Sequence, residues 1–255
     1  MWKYLWGVMM KNGIKSDRPK FTDSLIDYLQ EVDYRQIRTE AERKKIYKFR
    51  YESFLRDNAI ESCDVDYLTD DYDKMKNCWL FGLQYKQKLA SSVRIHLLTP
   101  ETPTSPSFDV FPDVIGPMLE NGNRIVDPSK FVSDSGATNH FPVLPFLTFR
   151  LACMAATHFE ADYCLLSIGA VHAQFYERVF GMKLLGGPRP YPQLKTQAHL
   201  MCANVSEVWD GLIEKYPVFR STYTERRMLF ERREERKSEW QAPSKKSVAE
   251  LVGSN

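Results

Sequence analysis

A chain of 255 residues is long enough to bury one elaborated core or two small ones. With 43% hydrophobic and 27% charged residues it has the composition of an ordinary globular protein, and a formal charge of +2 is too small to imply wholesale binding to nucleic acid. The five cysteines, Cys63, Cys78, Cys153, Cys164 and Cys202, lie singly, without the close Cys or Cys/His spacing of a zinc site. They read as reduced thiols of a cytoplasmic protein, with Cys153 and Cys164 as buried packing residues.

The first ten residues, "MWKYLWGVMM", are aromatic and aliphatic around Lys3, far short of the roughly 20 apolar residues of a membrane span. Residues 1–20 are expected to be flexible or weakly amphipathic, with weak membrane association as the sharper alternative. A helix over "TDSLIDYLQEV" and a strand over "DYRQIRTE" follow. "AERKKIYKFRYESFLRD" is a second helix, with Ile46, Phe49 and Phe54 at helical spacing and Arg50 between them. The acidic "ESCDVDYLTDDYDKMKN" has no period and reads as a loop, and "CWLFGLQY" with "LASSVRIHLL" reads as an antiparallel hairpin with Lys86 and Lys88 near its turn.

The proline-rich "TPETPTSPSFDVFP" is expected to be a loop before the strand "RIVDPSKFV". A second loop, "SDSGATNHFPVLP", leads to a core-facing helix, "FLTFRLACMAATHF". "DYCLLSIG" is a continuously apolar run of the kind a buried central strand shows, "VHAQFYERVFG" is a helix ended by Gly181, and "MKLLGG" and "AHLMCANV" are two more strands. From about Ser206 the chain is helical and charged, with Arg227 and Glu231 four apart and Arg226, Arg232, Arg233 and Arg236 nearby. The organisation expected is a main domain over residues 21–205 and a helical extension over 206–255 with a disordered end. Helices alternating with strands around a mixed sheet place the fold in the α/β (α+β) class.

The unit "FYERVFGMKLLGG" resembles the fourth helix and following strand of the Gcn5-related N-acyltransferase fold, a mixed twisted sheet flanked by helices. That resemblance puts Tyr176 where a tyrosine faces the thioester sulfur and can protonate a departing thiolate; an aromatic core residue is the alternative. It also puts the pyrophosphate loop of such enzymes at "SDSGATNHFPVLP", which has the single glycine Gly136 and several bulky residues and is a poor cradle for coenzyme A. An acyl carrier protein, bringing one phosphate on a 4′-phosphopantetheine arm, is therefore the expected donor, with no other cofactor.

Acyl-homoserine-lactone synthases carry four motifs in an order that recurs here between residues 50 and 131. "RYESF" supplies Arg50 and Phe54, "DDYD" supplies Asp70 and Asp73, "VRIHLLTP" supplies Arg94, and "DPSKF" supplies Asp127, Ser129, Lys130 and Phe131. In the last motif Asp replaces Glu, Lys replaces Arg, and Pro128 intervenes. From about residue 40 to 235, through "LPFLTFRLACMAATHF", "HAQFYERVFG" and "PRPYP", the chain is more similar to the long-chain N-acyl amino acid synthases.

What this resemblance implies is transfer of a long acyl chain from acyl carrier protein to the α-amine of an amino acid. A lactone synthase using S-adenosylmethionine, an acyltransferase acting on a lipid or surface-polymer amine, and a non-catalytic acyl-carrier-binding module are the alternatives. Pro128 cannot donate to a sheet ladder and so marks an edge, a bulge or a splayed strand end, which in this fold is where the thioester lies. Asp127 beside it is the expected base, directly or through water, unless it pairs with Lys130 or caps a turn.

Arg50, Arg94 and Arg124 are carboxylate-binding candidates, or else ion-pair partners of Asp70 and Asp73. Leu147, Phe149, Met154 and Phe175 are candidate acyl-chain lining that core packing explains equally well, and Lys183, Arg189 and Lys195 are candidates for docking an acidic carrier, as is the basic tail. His172 reads as a helix-start or packing residue, and His96, His140, His158 and His199 have no ligand spacing, so no metal is expected.

Overall fold

The computed structural model describes residues 18–134 and 143–232. The aromatic N-terminal stretch, Gly136 and His140 of the second loop, and Arg233 and Arg236 of the tail lie outside the described residues.

Chain order is α1 (Arg18–Leu29), β1 (Val32–Gln36), α2 (Glu40–Arg56), a 3-10 turn at Asp71–Lys74, β2 (Cys78–Tyr85), β3 (Lys88–Leu98), α3 (Pro106–Val110), α4 (Pro112–Glu120), β4 (Ile125–Ser133), α5 (Leu144–His158), β5 (Tyr163–Ile168), α6 (Ala173–Phe180), β6 (Lys183–Pro190), β7 (Gln197–Asn204), α7 (Val205–Lys215) and α8 (Tyr223–Phe230). The seven strands form one mixed sheet in the order β1-β2-β3-β4-β5-β7-β6, in which β4 and β5 are parallel and every other neighbouring pair is antiparallel. The β2–β3 hairpin turns at Lys86 and Gln87, both at positive φ, the backbone a two-residue hairpin needs. A parallel pair needs a crossover, and α5 supplies it between β4 and β5.

Alternation along the strands divides the apolar residues between two faces. Phe81, Leu83, Val93, Ile95, Val126 and Leu166 join the main core with α5, which is buried from Leu144 through Ala156. Leu98, Ile125, Leu165 and Leu200 turn the other way onto Phe111, just ahead of α4, and onto Ile115 and Leu119 of α4. Leu80 meets Ile46 and Tyr47 of α2 in a separate cluster. The same alternation puts Arg94, His96 and Asp127 into the sheet's middle strands as buried polar groups.

The structure departs from the sequence expectations in three places. Within the supposed proline-rich loop, Ser105 caps α3 by accepting from the Phe108 N–H, and Pro106 and Pro112 stand at the first positions of α3 and α4, where a missing N–H costs nothing. The buried stripe of α2 is Ile46, Tyr47, Arg50, Tyr51 and Ser53, leaving Phe49 and Phe54 half-buried. The segment after residue 205 contributes Leu212, Val218, Phe219, Leu229 and Phe230 to the main core. It is fastened there by Arg150, which donates to Glu225 at 2.6 and 3.0 Å. Among the described residues no helix is long and apolar enough to cross a membrane.

Gly181 ends α6 in the left-handed conformation at φ +64°, as the sequence predicts, and a Cβ there would meet Val208 Cγ1 at 3.0 Å. Gly181→Ala is expected to cost about 1–2 kcal/mol, from the left-handed backbone penalty, and urea unfolding checks it.

Candidate active site

The sheet opens where its two parallel strands part. β4 and β5 pair only at Ile125 with Tyr163 and Val126 with Cys164, although β4 runs to Ser133 and β5 to Ile168. Pro128 is the second residue beyond the last pair and has no N–H to offer a ladder. On the β3 side the register jumps from Ser92–Val132 to Arg94–Ser129, and Lys130 sits at φ +51°, a bulge that bends β4 away. The resulting cleft, about 670 Å³, has Pro128 to Val132 on one wall and Leu166 to His172 with Tyr176 on the other. Phe54, Tyr191, Leu194 and His199 complete its lining.

Beside this cleft lies a buried charge cluster. Arg50, fully buried, donates through Nη1 to both carboxylate oxygens of Asp73 at 2.8 and 3.0 Å. Arg94 donates to Asp70, to Asp73 at 3.2 Å and, through Nε, to the Ser129 hydroxyl at 2.9 Å. Burial alone would raise the Asp73 carboxyl, but the Arg50 and Arg94 charges, with hydrogen bonds from Arg50 and Thr69, hold it down at about 2. Lys130 donates to the Gln193 side-chain oxygen at 2.6 Å and lies 3.5 Å from Asp70; burial brings its ammonium down to about 8.

Asp127 is fully buried, and its Oδ1 accepts from the Ser107 hydroxyl at 2.8 Å while Oδ2 finds no hydrogen-bond partner among the described residues. Burial pushes its carboxyl above the usual range, opposed by the Ser105 and Ser107 hydroxyls and the Arg94 charge. It neither pairs with Lys130 nor opens directly on the cleft. Its connection runs through Ser107, whose hydroxyl lies 2.8 Å from that of the cleft-lining Ser167.

Tyr176 lines the cleft from α6 and packs against Phe149, Phe175 and Phe180. Burial raises its phenol, so the side chain stays protonated. His172, just ahead of α6, is held neutral by burial, its imidazole lowered to about 4.

The fold thus gathers Phe54, Ser129, Lys130, Phe131 and Tyr176 around one cleft, with Arg50, Arg94 and Asp127 behind its wall. Arg50 and Arg94 are the ion-pair partners of Asp70 and Asp73, and of the three cations in the cluster Lys130 is the one on the cleft wall. Arg124 is a correction: it is exposed at the closed end of β4, where its backbone N–H and carbonyl bind Asp162, because the strands part at the other end.

Leu147, Phe149, Met154 and Phe175 pack in the main core or against it, and none lines the cleft. Arg189 is committed to Asp113 by two bonds of 2.6 and 2.8 Å and stacks over Phe111, which takes it out of a free basic patch. Lys183 is exposed beside Glu207, and Lys195 sits at the cleft rim against Asn58 and Glu61. The residues that the sequence did not point to are Ser107, Ser167, Tyr191, Gln193 and His199. Among the described residues no cluster of metal-ligating side chains occurs.

The family model described as N-acyl amino acid synthase FeeM matches residues 45–204. Among solved structures the chain is similar to FeeM, an N-acyl amino acid synthase from uncultured soil microbes, at TM-score 0.58 and 16% identity, over 69% of this chain and 92% of that one. It is similar to TofI in a ternary complex with an inhibitor and MTA, at TM-score 0.54 and 14% identity, over 74% of this chain and 100% of that one. The acyl-homoserine-lactone synthase LasI matches at TM-score 0.53 and 13% identity, over 70% of this chain and 94% of that one. No curated protein matches by sequence.

Proposed function

The chain belongs to the N-acyl amino acid synthase FeeM family and is an N-acyltransferase; from that premise we propose that it moves a long acyl chain from acyl carrier protein to the α-amine of an amino acid. The observation that carries this reading is the 670 Å³ cleft between the splayed β4 and β5, with a buried carboxylate behind one wall and a protonated tyrosine on the other.

The thioester carbonyl lies in the splay, where N–H groups beyond Pro128 that make no β4–β5 ladder stabilise the oxyanion. An amine attacks only when neutral, so Asp127 takes one proton from the incoming ammonium. The nitrogen then bonds to the carbonyl carbon and the carbon–sulfur bond breaks. Tyr176 protonates the departing thiolate and recovers its proton from the second N–H lost as the amide forms. Lys130 and Ser129, on the cleft wall, meet the acceptor's carboxylate, and Arg94 holds Ser129 in place.

Each buried methylene of the acyl chain contributes about 0.8 kcal/mol, which the apolar side chains of Phe54, Phe131, Leu166, Ile168 and Leu194 are placed to supply. The donor brings its own 4′-phosphopantetheine arm, and Lys195 at the rim, with Lys183 further along the sheet edge, offers positive charge to an acidic carrier. The protein is proposed to act in the cytoplasm, where acyl carrier protein works.

Mass spectrometry of the products tests the reading. The purified protein is mixed with a long-chain acyl carrier protein and the twenty amino acids, with S-adenosylmethionine in a parallel tube. An N-acyl amino acid is the expected product. A lactone in the parallel tube, or carrier binding with no product in either, contradicts it.

A further inference from the structure

Asp127 is buried behind the cleft wall rather than exposed on it, which leaves open how a substrate proton reaches it. Two hydroxyls bridge the gap. The Ser107 Oγ stands 2.8 Å from Asp127 Oδ1 and 2.8 Å from the Ser167 Oγ, and Ser167 lines the cleft. An ionised carboxylate can only accept, so the Ser107 hydrogen is committed to Asp127. Ser107 must then accept from Ser167, and Ser167, having given its hydrogen inward, turns a lone pair toward the cleft. The direction of the chain is therefore fixed by Asp127, and its outer end is an acceptor for an N–H.

We propose that Ser167 and Ser107 form a proton relay from the acceptor's ammonium to Asp127. This rests on the acyltransfer reading of the cleft. In one concerted shift the ammonium nitrogen gives a proton to the Ser167 Oγ, Ser167 gives its own to the Ser107 Oγ, and Ser107 gives its own to Asp127 Oδ1. Each hydroxyl breaks one O–H bond and forms another, the carboxylate becomes a carboxylic acid, and the nitrogen becomes a neutral amine. Return of the proton to solvent after product release resets the chain. Ser167 touches substrate and is a catalytic residue; Ser107 acts through its neighbours and is a positioning and relay residue.

The groups facing Asp127 agree with this path. From β3 come Arg94, whose charge favours the ionised form, and His96, whose imidazole burial lowers to about 3 and so keeps neutral. From α3 and its cap come Ser107 and Ser105, from β5 come Cys164 and Ser167, and from the β6–β7 connection comes Tyr191. Burial raises the Cys164 thiol and the Tyr191 phenol, so both stay protonated. Asp127 is thus the one carboxylate among these groups, and the group placed to take up the relayed proton.

The test is steady-state acyl transfer by the full chain and by Ser107→Ala, Ser107→Thr, Ser167→Ala and Ser167→Thr, with pH profiles and the solvent deuterium effect. Each alanine variant is expected to lower kcat by tenfold or more, toward the roughly 10²–10⁴-fold worth of a general base, with KM little changed. Both threonine variants restore most of kcat, and Ser107→Ala also moves the acid limb of kcat to higher pH. In the unsubstituted chain the isotope effect curves with deuterium fraction, as more than one moving proton requires.

Product formation by the unsubstituted chain with unchanged kcat in Ser167→Ala, or threonine variants as slow as the alanine ones, overturns the relay alone. No product from the unsubstituted chain with any amine overturns the acyltransfer reading and the relay together. Should Ser107→Ala fail to fold, the Ser167 pair at the cleft surface decides.

Discussion

Asp127→Asn is expected to lower acyl-transfer turnover by about 10²–10⁴-fold, the usual contribution of a positioned general base, while carrier-protein binding survives and thermal stability does not fall. The two halves of this result have one cause. Asp127 is fully buried, with one oxygen on the Ser107 hydroxyl and the other without a partner among the described residues. Burial raises its folded pKa above the unfolded value. A group shifted that way gives its full stability below the unfolded pKa and loses it as pH rises through the folded one. Above the folded pKa the ionised carboxylate therefore weighs against folding, and the neutral amide removes that penalty.

The same shift places the acid limb of kcat/KM above the usual carboxylate range, and that limb is absent from whatever activity Asp127→Asn retains. A variant as active as the unsubstituted protein would remove Asp127 from the mechanism. A sharp loss of thermal stability would instead assign it a structural role.

Asp73→Asn is expected to do the opposite: it destabilises first. Breaking a buried ion pair from one side costs about 3–5 kcal/mol, because Arg50 has no other hydrogen-bond acceptor among the described residues and stays fully buried. Arg94 also loses one of its two carboxylates, and the 3-10 turn loses the bonds that the Thr69 hydroxyl and Asp70 N–H give to Asp73. For a chain of this size that corresponds to a fall in Tm of roughly 6–20 °C.

The sign of the pH dependence follows from the depressed folded pKa, about 2. The stabilisation is present above the unfolded carboxylate pKa, near 4, and is lost as pH falls through the folded value. Between those limits the unsubstituted protein loses stability that Asp73→Asn never had, so the two unfolding curves converge. Urea titrations at neutral and acid pH check both parts, and a loss below about 1 kcal/mol at neutral pH would return the pair to the class of weak surface bridges.

Much of the architecture was legible because each signal had a local physical cause. Pro128 in an apolar strand has no N–H to pair, and the strands do part beside it. Gly181 after an amphipathic run is a left-handed cap. Cys153 and Cys164 in apolar segments are buried thiols. Asp70, Asp73, Arg50 and Arg94 were marked instead by the motifs that resemble those of the lactone synthases, and they meet in one buried cluster.

What was not legible depends on contacts between distant residues. Ser107 and Ser167 are ordinary serines sixty positions apart, and only the sheet brings their hydroxyls together. Arg124 precedes β4 in sequence, but sequence does not say which end of a strand pair is open. Leu147 and Met154 lie on a helix buried on nearly every side, where hydrophobicity alone cannot separate core from cavity wall. The helix α4 was hidden by its prolines, although its buried residues Ile115 and Leu119 stand four apart and continue the spacing from Phe111 at its N-cap.

The central claim is that the acyl thioester lies between β4 and β5, and photo-crosslinking tests it most directly. A carrier protein loaded with an acyl-pantetheine thioester bearing a diazirine near the carbonyl is irradiated with the full chain, and the labelled peptides are sequenced. The account predicts labels on residues 128–132 and 166–172, the two walls of the cleft. Labels confined to the opposite, closed end of those strands, around Asn123, Glu160 and Asp162, would contradict it.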